Sequence, residues 1–381
     1  MTDQERVDSL RIAVVHSFYS SRQPSGENVV VDLQLEALRR AGHQVRLVAR
    51  STDELERSRT YPLAAAYRAA TGRGDSPLAE IEAFQPDVVH VHNLFPNLGR
   101  HWVEKLSAPL VTTLHNYRPI CPAATLVRDG HTCTLCPDTG SARAAVRYAC
   151  FKDNRVQTLP VALGTRFADD TLLRRADRIV TLNDTMRATY TAYGVPGERL
   201  VTVPNFVAPP AVSGAHEGDF WLFVGRLSRV KGIIDLIEQW PSHRKLVVVG
   251  AGPQQQEAQS MAGENVSFLG QRPAAEVASL MASARGLIFP SLWPEGLPTV
   301  YLEALAAGLP VLAWPQSIVG TLVTTEGTGF VTSGDLPADL DRADREFAGR
   351  QERCRTVFAD HYSERAWVAA IERVYRAAAM R

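Results

Sequence analysis

Neither sign of charge dominates this chain of 381 residues: Lys+Arg and Asp+Glu stand at 41 each. That balance removes the electrostatic argument for nucleic acid as a partner. No apolar run approaches the ~20 residues of a membrane span. The first ten residues, MTDQERVDSL, lack the apolar core of a secretory leader, so the sequence reads as cytoplasmic. A local basic patch can hide in a neutral total, which leaves peripheral contact with the inner face of a membrane open. Cysteine is sparse, yet four of the five crowd between Cys121 and Cys150. What remains is an ordinary globular composition, 45% hydrophobic and 22% charged, on a chain long enough for about two domains.

The order of elements is regular. Residues 12–15 form a β-branched run that reads as a buried strand, followed by a polar loop over 16–25. From Gly26, the positions Val30, Val31, Leu33, Leu35 and Leu38 describe an amphipathic helix closed at Gly42, and 45–48 is the next strand. This is a parallel βαβ unit. Further strands are expected at 88–92, 110–114, 178–182 and 200–203, with helices at 63–70 and 103–106. The turn-rich PNFVAPPAVSGAHEG (204–218) breaks the pattern. Strands then resume at 220–224, 246–249, 266–269, 286–289 and 311–313. The prediction is two Rossmann-like α/β domains, 1–207 and 208–362. A last helix, 363–381, carries Ala366, Trp367, Ala370, Ile371, Val374 and Tyr375 on one face. Ligands of such sheets bind at the carboxyl ends of strands. The RGDS at 73–76 is read as a plain solvent loop.

Several loops at those ends carry chemistry. Pro294 to Val311 reads PEGLPTVYLEALAAGLPV. Pro298 suits the first turn of a helix and Gly308 its left-handed cap. Glu295 precedes that helix and Glu303 lies inside it, with the backbone of Gly296 and Leu297 between. Carboxylates beside an anion-binding helix start suit a ligand bearing both phosphates and hydroxyls. The alternative is a surface helix with two ordinary acids. In VGRLSRVK (224–231), Arg226 and Lys231 follow Gly225 after a strand, as a diphosphate would require, or are solvated charges. In VGAGP (249–253), Gly250 and Gly252 permit close backbone approach to a ring or phosphate. Gly26 opens a helix after the first strand, either for a phosphate or to ease a turn. His90 and His92 share a strand face, as metal ligands or as packing. Cys121, Cys133, Cys136 and Cys150 include a C-x2-C pair in an insert over about 118–152. They suit a structural zinc, while a disulfide or unrelated thiols remain open. Cys354 is a bystander.

GRLSRVKG, GAGP and PSLWPEGLPTVYLEALAAGLPV together resemble the retaining glycosyltransferases of family 4, with their E-x7-E motif and GT-B fold. SGENVVVDLQLEALRRAGHQV, DVVHVHN and TLHNYRPICP are similar to members acting in bacterial polysaccharide and natural-product assembly. The resemblance spans nearly the whole chain. It implies two α/β domains facing a central cleft, with the C-terminal helix crossing back to the first. It implies a hexosyltransferase that moves a sugar from a nucleoside-diphosphate sugar to a hydroxyl of a glycan, glycolipid or natural product by front-face displacement, with no metal cofactor required. Glu295 would hold a donor-sugar hydroxyl and Glu303 the ribose. Arg226 and Lys231 would stabilise the departing diphosphate, helped by the backbone of Leu297 and Pro298 and by Gly26 of the other domain. Gln271 and Arg272 lie where the base is held. His115 would position the sugar, with His92 and Asn116 on the acceptor side. A nucleotide-sugar epimerase and a non-catalytic nucleotide-sugar-binding protein are the rivals. Base, sugar, acceptor and oligomeric state are left open.

Overall fold

The structure, a computed structural model, describes residues 9–21, 26–209 and 218–380. The greater part of the expected linker, 210–217, and the end of the first loop, 22–25, lie outside the described residues. The chain divides into two compact units. The first takes the residues up to Thr125, Thr134–Pro204 and Trp367–Arg381; the second takes Leu126–Cys133 and Asn205–Ala366.

Four strands open the first unit: β1 (Arg11–Phe18), β2 (Gln44–Ser51), β3 (Val88–Asn93) and β4 (Leu110–Leu114). A two-residue-strand hairpin, β5 (Val127–Arg128) with β6 (His131–Thr132), belongs to the second unit. Then β7 (Arg178–Thr181) and β8 (Leu200–Thr202) complete a six-stranded sheet of order β2-β1-β3-β4-β7-β8. All its pairings are parallel. Parallel strands are covered on both faces, so they read as unbroken apolar runs; every residue of β4, LVTTL, is buried. The helix Gly26–Arg40 covers the sheet with Val30, Val31, Leu35 and Leu38, and its ends (Glu27 first, Arg39 and Arg40 last) match the helix dipole.

The C-terminal helix, Glu364–Ala379, buries Trp367, Ile371, Val374 and Tyr375. Its polar contacts fix it to the first unit: Tyr375 OH lies 2.8 Å from His90 Nδ1, and buried Glu372 lies 3.1 Å from His43 Nε2. The expected helix at 103–106 is instead a 3-10 turn, His101–Lys105, sunk by Trp102 and Val103.

The second unit holds β9 (Phe220–Val224), β10 (Lys245–Val249), β11 (Val266–Gly270), β12 (Leu287–Phe289), β13 (Val311–Ala313) and β14 (Gly329–Val331), in the order β11-β10-β9-β12-β13-β14. Trp221, Phe223, Leu246, Val248, Ile288 and Leu312 form the centre of its core with Leu236 and Leu340. In each sheet the strand order reverses at one place, between β1 and β3 and between β9 and β12. Crevices at the carboxyl ends of strands beside such a reversal are where open α/β sheets bind ligands.

Candidate functional site

In the second unit, β9 and β12 deliver the two loops that carry Arg226, Lys231 and Glu295. Lys231 Nζ lies 2.7 and 2.6 Å from the two carboxylate oxygens of Glu295. Ser291 Oγ donates to Glu295 Oε1 at 2.7 Å. The carboxylate is thus held from two sides and is only 7% exposed, with Ser291 at 1%. The lysine also sits 5.7 Å from the centre of the Phe289 ring. Arg226, in contrast, is exposed and has no hydrogen bond or ion pair among the described residues.

Backbone bonds brace these loops against each other. Leu292 N donates to Val230 O at 2.9 Å, Leu227 N to Ala251 O at 3.1 Å, and Gln254 N to Leu227 O at 3.0 Å. Gly232, at φ +68°, is a requirement here: a Cβ would stand 2.0 Å from Pro290 O. Gly250 and Gly252 also lie against the chain's own backbone. A Cβ on Gly250 would stand 1.9 Å from Gly225 O, and one on Gly252 would stand 2.3 Å from Leu227 O. The glycines therefore let the turn after β10 press against the Arg226 loop. A register shift between Val248 and Val249 bends β10 just before that turn.

The helix after Glu295 runs Thr299–Ala307 and ends at Gly308 in the left-handed conformation. It is not a surface helix, since six of its residues, Tyr301 and Leu302 among them, are buried. Glu303 is its only carboxylate. Burial raises the pKa of Glu303, partly offset by a hydrogen bond from Thr299. Pro298 stands at the N-cap rather than in the first turn. A proline has no amide hydrogen, so the first donors this helix can offer an anion are Thr299 and Val300. Leu297 is buried beside it. Gln271 and Arg272 follow β11 on the surface, and Arg272 makes a long contact with Glu276, 3.7 Å.

In the first unit, the ends of β1, β3 and β4 gather a set of histidines. His92 Nδ1 and His115 Nε2 share a hydrogen bond of 3.0 Å. His90, its ring 4.1 Å from that of His92, bonds Thr113 Oγ1 at 2.8 Å in addition to Tyr375. His16 Nε2 reaches Asn28 Oδ1 at 3.1 Å. A register shift between Val15 and His16 turns β1 at this point. His92, Asn93, His115, Asn116 and Arg118 line a cavity within this unit together with Glu27. Asn116 Nδ2 lies 3.4 Å from Glu27 Oε2, while Glu27 Oε1 is enclosed with no hydrogen-bond partner. Burial pushes the Glu27 carboxyl up to about 8, outweighing the Arg118 guanidinium and hydrogen bonds from Asn93 and Asn116. Gly26 is exposed at the helix start, with nothing within 4 Å of a Cβ.

Among the described residues no three His, Cys, Asp or Glu side chains gather in a way that could hold a metal ion. The expected zinc set of Cys121, Cys133, Cys136 and Cys150 therefore does not form. Cys133 follows the hairpin and belongs to the second unit, whereas the other three belong to the first. None of the five cysteines is in a disulfide. His90 and His92 are likewise packed and hydrogen-bonded rather than set as ligands.

Three groups escaped the sequence reading. Ser291 looked like an ordinary loop serine after a strand. Glu27 entered the sequence reading only as a letter of SGENVVVDLQLEALRRAGHQV. Arg118, its guanidinium 4.5 Å from the Phe95 ring centre and 5.3 Å from that of Phe151, lies within the quoted TLHNYRPICP but was given no role there. The adjacency of Glu27 to Gly26 within the quoted SGEN stretch could have signalled the second.

The buried groups set a pH dependence. Burial lowers His16 to about 4 and His90 and His115 to about 3. Below about pH 6.5 the unfolded chain takes up protons that these folded imidazoles refuse, so their stability contribution is lost as pH falls from 6.5 toward 4. Glu27 acts oppositely, because its folded pKa is raised: stability is lost as pH rises from about 4.5 to 8. A melting-temperature scan should therefore fall steeply below pH 6.5. Glu27→Gln should raise the melting temperature at pH 8 and leave it nearly unchanged at pH 5; a equal shift at both would contradict the raised carboxyl.

Comparisons with known proteins fit this frame. Residues 24–210 match the family model described as Glycosyltransferase Family 4, and residues 219–346 match the one described as Glycosyl transferases group 1. The chain is 39% identical over 104 residues to a teichuronic acid biosynthesis glycosyltransferase, TuaC, of Bacillus subtilis, covering 26% of each chain. It is 32% identical over 162 residues to the phosphatidyl-myo-inositol mannosyltransferase of Mycobacterium leprae, covering 38% of this chain and 43% of that one. These alignments span less than half the length of either relative. Among solved structures, HepE of Anabaena in complex with UDP and glucose superimposes with a TM-score of 0.64 at 15% identity, over 96% of this chain and 99% of that one. The sucrose-phosphate synthase of Thermosynechococcus elongatus gives 0.66 at 17%, over 96% and 98%. At such identities the likeness speaks for the fold, which is GT-B. With two parallel-sheet units of that fold and family models matching along both, the chain belongs to glycosyltransferase family 4.

Proposed function

We propose that the protein transfers a sugar from a nucleoside-diphosphate sugar to an acceptor hydroxyl, with retention of configuration. The observation that carries this reading is the Lys231–Glu295–Ser291 cluster, with an exposed Arg226 that has no partner among the described residues on the same loop as Lys231, at the strand-order reversal of the second sheet. HepE, a fold relative, has been seen with UDP and glucose and with UDP-glucose, which supports a nucleoside diphosphate as the group these cations meet.

The chemistry follows from the charges. The bond from the anomeric carbon to the diphosphate oxygen breaks, and negative charge grows on the diphosphate. Arg226 and Lys231 stabilise that charge, acting where it develops. The acceptor oxygen attacks the face the diphosphate leaves, and its proton passes to the departing phosphate oxygen. Glu295 turns a carboxylate oxygen to a sugar hydroxyl when Lys231 turns to the diphosphate. Glu303 holds the ribose, and Gln271 and Arg272 flank the base. In the first unit, Gly26 serves the phosphates, His115 the sugar, and His92 and Asn116 the acceptor.

Incubation with a panel of uridine, guanosine and thymidine diphosphate sugars tests this. Release of one nucleoside diphosphate is expected, with the first product carrying the donor's anomeric configuration by proton NMR. An inverted product would contradict the front-face route. A sugar epimerised at carbon 2 would favour the epimerase, and binding without turnover the non-catalytic reading.

A further inference from the structure

The cavity of the first unit, about 130 Å³ at the carboxyl ends of β3 and β4, holds positive charge that its own residues do not answer. Besides Glu27, His92 and His115, its wall carries Arg68, Arg100, Arg118 and one further acid, Asp170. Arg100 is taken up: it lies 3.4 Å from Asp170 and donates to Gly164 O at 2.6 Å. Asp170 also accepts from the amides of Leu172 and Leu173. Arg68 and Arg118 have no acid partner. Neither is in an ion pair among the described residues. Arg118 donates to the carbonyl of Pro122, but its Nε is enclosed without a hydrogen bond, as are Arg68 Nη2 and Glu27 Oε1. The two arginines flank one stretch of the wall. The Arg118 guanidinium lies 4.5 Å from the Phe95 ring centre, and Arg68 Nε donates to Pro96 O at 3.1 Å.

An enclosed cation without a counter-charge is costly, and so are enclosed donors without acceptors. The rest of the wall does not supply the missing charge. Burial lowers His92 and His115 far enough to keep both uncharged at neutral pH, and it pushes the Glu27 carboxyl up to about 8. A carboxyl protonated at pH 7 does not repel an anion; it offers one a hydrogen bond. Burial also pulls the Arg118 guanidinium below its ordinary value, which an oxyanion beside it would reverse. His92 and Asn116, proposed to meet the acceptor, line the same cavity. The anion that fits is therefore one the acceptor carries.

We propose that this cavity binds an acidic acceptor sugar, its carboxylate or phosphate taken by Arg118 and Arg68 and a neighbouring hydroxyl by Glu27. The inference rests on the proposed transfer reaction, and saccharide binding without any donor tests it separately. Isothermal titration of the full chain with glucose, glucuronic acid and glucose 6-phosphate, and with the galactose series, measures that binding. One acid should bind about tenfold or more tighter than its neutral sugar: the uronic acid if the anion is a carboxylate, the sugar phosphate if it is a phosphate. Arg118→Gln should remove the preference and Arg68→Gln should weaken it; the second variant decides the matter if the first melts early. Arg226→Ala should keep it, since the donor loops take no part. Equal binding of acid and neutral sugar, or no binding of any acid, would overturn the proposal. So would a preference that survives either arginine substitution in folded protein, or one that vanishes in Arg226→Ala. Release of nucleoside diphosphate by a protein without the preference would sink this assignment and leave the transfer reading standing.

Discussion

Lys231→Ala is expected to lower kcat/KM for sugar transfer by about 10²- to 10³-fold, the loss typical of one group aimed at charge that develops in a transition state. The same ammonium neutralises Glu295, at 2.6 and 2.7 Å from its oxygens. Without it, the carboxylate keeps only Ser291 as a partner in surroundings that leave it 7% exposed. An enclosed charge stripped of its counter-charge is costly, so the variant should also melt lower, and Lys231→Ala/Glu295→Ala should recover part of that loss. Activity should behave differently. Because lysine and carboxylate act as a unit, the double variant should be scarcely less active than the worse single one. Initial rates of nucleoside diphosphate release from the four proteins check this. Strictly additive losses would mean the two side chains act separately.

Gly250→Ala should be among the most damaging single-methyl changes in the second unit. The residue sits at φ +135°, and its new Cβ would stand 1.9 Å from Gly225 O. Backbone strain and collision together put the cost at about 2–4 kcal/mol. In a unit of this size that lowers melting by roughly 5–15 °C. What moves to relieve the collision is the Arg226 loop, so nucleotide affinity should fall as well. Gly334→Ala is the control: φ is +98°, with nothing within 4 Å of its Cβ. It carries strain without collision and should cost about 1 kcal/mol, with nucleotide affinity unchanged. If Gly250→Ala bound nucleotide as well as the wild type, the bracing of the Arg226 loop by this turn would be wrong.

The parallel strands were legible because burial on both faces leaves no alternation to decode; LVTTL and FWLFV mark β4 and β9 to the residue. β14 was not, because three residues beginning with glycine carry no such run. Gly329 is there for contact, since a Cβ would stand 1.8 Å from Val311 O. The helix Arg155–Gly164 was hidden by Pro160 inside it. At the candidate site, Arg226, Lys231 and Glu295 stood out in the sequence because each follows an apolar run that reads as a strand, and the carboxyl ends of such strands are where parallel sheets hold ligands. The pairing of Lys231 with Glu295 did not, since 64 residues separate them. The glycines of VGAGP were legible as close approaches, but sequence does not say that they approach the backbone of Gly225 and Leu227. The cysteines mislead for a related reason: C-x2-C fixes a local spacing and leaves open where the third and fourth thiols lie.

The central claim is that Arg226 and Lys231 meet a diphosphate, and thermal stabilisation by nucleotides tests it most directly. Ligand that binds only the folded state raises the melting temperature by mass action. A panel of uridine, guanosine, thymidine and adenosine diphosphates, with the corresponding sugars, should give a clear rise for one base. The rise should shrink sharply in Arg226→Ala, whose own melting temperature should match the wild type because the side chain has no partner among the described residues. No rise with any nucleotide in folded protein, or an undiminished rise in Arg226→Ala, would contradict the account.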